Sequence, residues 1–190
     1  MSKGRLEAFS DGMIAIFITV MVLELKIPHG HDWSALRPML PAFVTYVLSF
    51  IYLAIYWNNH HHLLHAAGRI NGKVLWANIH LMFWLSLVPV TTGWMGDTHL
   101  APVPTAVYGA DLLLAGLAYT ILSRTLIAAQ EHSKLEHAVG KDTKGRLSLL
   151  CYALAIPLAF VSGWISAAIY AGVALIWLAP DPRIEKELSG

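Results

Sequence analysis

The sequence predicts an all-α integral membrane protein, a bundle of six transmembrane helices with both termini on the cytoplasmic side. Three observations predict it. Of 190 residues, 56% are hydrophobic and 13% charged, about half the charge a soluble domain carries, so water is not the main solvent of this chain. The apolar residues fall in blocks of about twenty, the length that crosses a bilayer core as a helix, rather than in the ten-residue alternation of barrel strands. Eleven of the 13 Lys and Arg then gather on one side of the resulting spans. At this length one domain is expected, 1–190, with no internal repeat, low-complexity tract or linker to divide it.

The first span covers residues 9–27 and stops at Pro28-His29-Gly30, which cannot continue a helix. Lys3 and Arg5 ahead of an apolar stretch resemble a secretory signal. However, Asp11 interrupts its start, and Glu24 and Lys26 close it without a small-residue cleavage site, so it reads as a transmembrane helix. The second span, 39–57, follows Pro38, carries Pro41 in its first turn and ends in the polar run Asn58 to His62. The third, 74–94, contains Pro89 as a kink and ends at Gly96-Asp97. Pro102 and Pro104 lead to the fourth, 105–128. Residues 147–179 are too many for one span and just enough for two short ones with a turn at Ser162-Gly163; five spans is the alternative.

Orientation follows from Lys and Arg, which stay on the cytoplasmic side of span ends. Lys3, Arg5, Arg69, Lys73, Arg124, Lys134, Lys141, Lys144, Arg146, Arg183 and Lys186 fall on one side, and only Lys26 and Arg37 on the other. Both termini are therefore expected inside.

Several function classes find no support. There is no HExxH, GxSxG, Walker A loop or GxGxxG, and nothing else points to an enzyme or a cofactor. A net charge of +1 with no basic run among aromatics gives no case for nucleic acid. The lone Cys151, in an apolar block, reads as a small buried hydrophobe. Among the ten histidines, His60, His61, His62 and His65 cluster after span two. His61 and His65 share a helical face, but two ligands of the four needed, with no carboxylate or cysteine nearby, read better as interfacial hydrogen-bonding groups than as a metal site.

Ionisable groups inside a membrane helix are costly and normally face protein or water. Arg5 and Asp11 either meet such a partner or sit at headgroup level; Asp111, near the outer end of span four with no nameable partner, reads as a headgroup-level residue. On the first helix, with Ile16 at 0°, Gly12, Val20 and Leu23 lie within about 40° of it, and Thr19 borders the stripe at about 60°. Thr19 can face the stripe or bond back to the carbonyl of Ala15. Such a stripe suits a hydrophobic constriction, in which rings of branched side chains expel water. Packing against a neighbouring helix would look the same, and periodicity alone favours packing.

The run Arg5-Leu6-Glu7-Ala8-Phe9-Ser10-Asp11, continuing into Gly12-Met13-Ile14-Ala15-Ile16 and closing on Val22-Leu23-Glu24-Leu25-Lys26-Ile27-Pro28, resembles the transmembrane protein 175 potassium channel family, whose hallmark is RxxxFSD. Trp57 four residues before His61, Trp76 two before Asn78, and the late Pro89 extend the resemblance over roughly the whole chain. The resemblance implies a potassium-permeable channel of a prokaryotic cell membrane, without a TVGYG filter, in which first helices surround the pore. It also implies a homotetramer, since family members with two such units per chain pair two chains. Ile16 matches the narrowest hydrophobic ring, with Val20 and Leu23 on following turns, and Thr19 matches a position implicated in potassium preference. Arg5, Phe9, Ser10, Asp11, Trp57, His61, Trp76 and Asn78 match a structural network behind the pore helices. Val20 is smaller than the leucine or isoleucine expected at a second ring. The alternative function is a secondary transporter with helices broken at Pro89 and Pro157, although no inverted repeat is present.

Overall fold

A computed structural model describes residues 2–28, 30–130 and 142–178. The regular structure among them is entirely helical: α1 (Lys3–Leu23), a 3-10 segment (Trp33–Met39), α2 (Leu40–Ala66), α3 (Gly72–Asp97), α4 (Pro102–Ala128), α5 (Thr143–Leu158) and α6 (Gly163–Leu178). The first four, with the 3-10 segment leading into α2, are each long and apolar enough to cross a membrane. The last two have 16 residues each, about 24 Å of rise against a core of about 30 Å, so they are the two short elements the sequence leaves room for.

The turn between α5 and α6 falls at Ser162-Gly163 as expected. Its glycine is required by space, because a Cβ at Gly163 would run into the carbonyl of Leu100 in the α3–α4 turn. Gly109 plays the same part inside the bundle: its missing side chain admits the ring of Tyr170, whose hydroxyl donates to the Thr105 carbonyl at 3.0 Å. Small residues at such crossings let membrane helices approach closely, and Ala115, Ala118, Ala155 and Ala174 are buried elsewhere on α4, α5 and α6.

α1 covers Lys3–Leu23 where the sequence predicts 9–27, and α3 covers Gly72–Asp97 where it predicts 74–94; two further boundaries differ for physical reasons. α2 runs on through the polar stretch Asn58 to His62 as far as Ala66, because His60, Leu63 and Leu64 continue the packed stripe begun by Leu53. α4 starts at Pro102, whose missing N–H costs nothing in a first helical turn. α3 continues through Pro89 as one helix of 26 residues, and Pro157 lies in the last turn of α5.

α3 is the hub, packing on α1, α2 and α4, while α5 packs on α4 and α6, and α6 also packs on α2 and α4. One largely aliphatic core joins α1 to α4, including Ile14, Phe17, Leu53, Leu81, Leu85 and Leu122. A second, rich in tyrosine, joins α2, α4, α5 and α6 through Tyr52, Tyr108, Tyr152 and Tyr170. α1 lies at the edge: Leu6, Ser10, Ile14, Phe17 and Met21 are buried and lie within about 80° on one side, leaving the opposite side uncovered by this chain.

From the placement of Lys and Arg, the α3–α4 turn is expected outside and the start of α5 inside. In a Cys151→Ala background, a membrane-impermeant thiol reagent should label His99→Cys in intact cells and leave Lys144→Cys unlabelled until the membrane is opened. The reverse pattern would invert the orientation. Most of the intervening cytoplasmic loop of the sequence expectation, 131–141, lies outside the described residues.

Candidate functional site: the uncovered face of the first helix

The geometry of α1 separates two sets of residues. Ile14, 1% exposed, belongs to the packed side. Ile16, Val20 and Leu23 are 58%, 42% and 79% exposed, and Gly12 and Thr19 are exposed beside them. A side chain at Gly12 would meet nothing within 4 Å, so the strip is open along its length. Among the described residues, then, the Gly12, Ile16, Val20, Leu23 stripe is not a packing face within one chain. Thr19 Oγ1 donates to the carbonyl of Ile16 at 2.9 Å rather than to that of Ala15, and its side chain stays exposed beside the stripe.

Behind this strip α1, α2 and α3 are joined by a buried polar node. Ser10 Oγ donates to the Leu6 carbonyl at 2.9 Å and accepts from Asn78 Nδ2 at 3.0 Å. Asn78 Oδ1 lies 2.7 Å from His60 Nε2, and because an amide oxygen only accepts, His60 carries its proton there. All three side chains are essentially inaccessible, and each polar contact replaces a desolvated orphan. The sequence reading missed His60. Its signal was position: it lies within about 40° of Leu53 and Leu64 on the helix, so it shares their buried face.

The remaining motif residues separate. Trp57 Nε1 donates to Asp11 Oδ1 at 2.9 Å, and the Trp57 ring stacks on His61, which stacks on His65, at centroid distances of 5.9 and 6.1 Å. Asp11 thus faces a protein partner, not only headgroups. Because it is only half-buried, Asp11→Ala should cost about 1.5 kcal/mol, the low end for a hydrogen bond to a charged group. The thermal midpoint of the purified protein reads this, and an unchanged midpoint would leave the Trp57 bond without structural weight. Arg5 and Phe9 are exposed, Trp76 is 74% exposed, and the Arg5 guanidinium has no hydrogen-bond partner among the described residues. Nor do the described residues include three His, Cys, Asp or Glu placed to hold a metal ion.

Asp111 corrects an expectation. It has a protein partner and is 4% exposed within the bundle, about 14 Å along the axis of α4 from its start at Pro102. Thr91 Oγ1 of α3 donates to its Oδ2 at 3.0 Å, and Oδ1 has no partner among the described residues. One residue on from Thr91, Thr92 joins Ser49 and Tyr108 in a second buried chain of hydroxyls.

Fold and site together define the class: an all-helical, multi-pass membrane protein whose first helix is packed on one side and bare on the other. A family model described as the endosomal/lysosomal potassium channel TMEM175 matches residues 5–89, from the first residue of RxxxFSD to Pro89. A potassium channel of Chryseobacterium sp. strain P1-3 is 52% identical over 99% of this chain and 98% of its own length. A potassium channel of Streptomyces collinus is 30% identical over 92% and 91%. The crystal structure of a lysosomal potassium-selective channel TMEM175 homolog from Chamaesiphon minutus superposes with a TM-score of 0.82 at 28% identity, covering 93% of this chain and 96% of that one. The chain belongs to the TMEM175 family.

Proposed function

We propose that this chain is a potassium-permeable cation channel of a prokaryotic plasma membrane. In this reading four copies surround an axis with the bare faces of their α1 helices, and Ile16 forms the narrowest ring, followed by Val20 and Leu23. The observation that carries it is the exposure of those three side chains, which lie on α1 outside the arc of its packed residues. The names of the bacterial relatives, each matched over nearly its full length, supply the ion. Chemically, four branched aliphatic groups meeting on an axis leave no polar partner for an ion, so a narrow ring is dry and conduction needs the helices to part. The transporter alternative loses its specific support, since α3 runs through Pro89 as one helix and Pro157 comes only at the end of α5.

The test is the reversal potential of purified protein in planar bilayers under opposed potassium and sodium gradients. It should lie toward the potassium equilibrium potential. Thr19→Val, nearly isosteric, should keep the conductance and move the reversal potential toward zero, because it removes the one hydroxyl bordering the stripe. Absence of single-channel currents from correctly assembled protein would overturn the channel reading. An unmoved reversal potential in Thr19→Val would remove only the selectivity role.

A further inference from the structure

Where α3 begins and α4 ends, the chain leaves an open groove of about 760 Å3 whose lining includes Lys73, Trp76, Arg124, Thr125, Ala128 and Ala129. It lies away from the α1 strip and plays no part in the proposed conduction path. Both of its cations, Lys73 and Arg124, are exposed, neither is paired with a described residue, and no carboxylate is among the described residues that line the groove. An unneutralised pair of this kind recognises a phosphate, Arg through its planar fork and Lys as a point charge. The first turn of α3 adds to this: Asn71 accepts from Val74 and Leu75, while the N–H groups of Gly72 and Lys73 have no carbonyl to reach. Nothing lies within 4 Å of a Cβ at Gly72, so that backbone is approachable.

The apolar half of the lining narrows the ligand further. Trp76 sits one turn along from Lys73 and is 74% exposed, a placement that suits the headgroup boundary, where indole rings meet both water and acyl chain. Ala128 and Ala129 form a small-residue wall on the α4 side. The groove lies at the ends of two membrane-crossing helices, on the side where 11 of the 13 Lys and Arg collect. A free phosphate would use the cations but not the indole or the alanines.

We infer that this groove is a binding site for an anionic phospholipid, its phosphate held between Lys73 and Arg124 and its glycerol and first acyl carbons lying against Trp76 and the α4 alanines. Basic pockets between helices at the charged side of a membrane take anionic headgroups in this way.

The probes are phosphatidylglycerol and phosphatidylcholine, added to the detergent-purified full chain and followed by native mass spectrometry and thermal unfolding. Phosphatidylglycerol should be retained and should raise the unfolding midpoint, with phosphatidylcholine giving little of either. The Lys73→Gln/Arg124→Gln variant should weaken phosphatidylglycerol retention roughly tenfold or more, and salt should do the same. Arg146→Gln, an exposed cation on α5, should leave it unchanged. Trp76→Ala should weaken retention of the lipid without creating a preference for phosphatidylcholine. Size-exclusion chromatography confirms that each variant is assembled. Equal retention of the two lipids, or a double variant that behaves like Arg146→Gln, would overturn the site. So would displacement of the lipid by millimolar inorganic phosphate, which would make it a free-anion site, or cross-linking of Thr125→Cys between copies, which would make it a contact surface.

Discussion

Ile16→Asn should raise potassium efflux from proteoliposomes roughly tenfold or more while leaving the protein assembled, because a polar side chain wets a constriction that aliphatic rings keep dry. The companion substitution, Ile14→Asn, should instead yield little assembled protein. The two residues are two apart in sequence and about 160° apart on the helix, with Ile14 inside the aliphatic core and Ile16 outside it. Burying an amide without partners at Ile14 forfeits the burial of the isoleucine and adds the cost of a desolvated polar group. Together these come to about 4 kcal/mol or more, a large part of the 5–15 kcal/mol that holds a typical domain folded. At Ile16 neither term applies within one chain. Flux and size-exclusion profiles of both variants check this. Unchanged flux in assembled Ile16→Asn would remove Ile16 from the pore, and well-assembled Ile14→Asn would contradict the phase assigned to α1.

The stripe on α1 was legible in the sequence because a helix with one packed side repeats its apolar and small residues at helical spacing, although the helix starts at Lys3, ahead of the span expected from residue 9. What periodicity did not settle was which side packs: Ile14 and Ile16 are chemically identical, and only the positions of α2 and α3 distinguish them. The same limit explains His60. In the run Asn58 to His62 every residue is polar, so the stretch reads as the end of a span, yet the helix continues and turns one histidine inward among leucines while His61 faces out. Asp111 failed for a related reason, since its depth depends on where α4 starts, and Pro102 permits a start that a proline-rich segment read as loop conceals. Arg5, Phe9 and Trp76 belong to the motif by sequence but stay exposed in a single chain. A motif marks residues that matter together without stating whether their partners lie in the same copy.

Asn78 should be the most sensitive position behind the pore face, because its one amide serves two buried partners on two other helices. Asn78→Leu removes the donor to Ser10 and the acceptor for His60, leaving both side chains desolvated. Interhelical hydrogen bonds in membranes are worth on average about 0.6 kcal/mol each, so if only bond energy counted the loss would be about 1 kcal/mol. Orphaning adds more, about 1–3 kcal/mol for each group left without a partner, and Ser10 retains its own bond to the Leu6 carbonyl while His60 Nε2 retains nothing. The expected loss is therefore about 2–4 kcal/mol, most of it at His60. The accounting is testable, because removing the orphan should recover what removing the bond did. His60→Phe combined with Asn78→Leu should unfold at a higher temperature than Asn78→Leu alone, and adding Ser10→Ala should change the midpoint little further. Thermal unfolding of the four proteins in one detergent, with assembly followed by size exclusion, gives the comparison. If Asn78→Leu and the double variant unfold together, the desolvated imidazole is not what the node protects, and the coupling of α1 to α2 through α3 must rest on aliphatic packing alone.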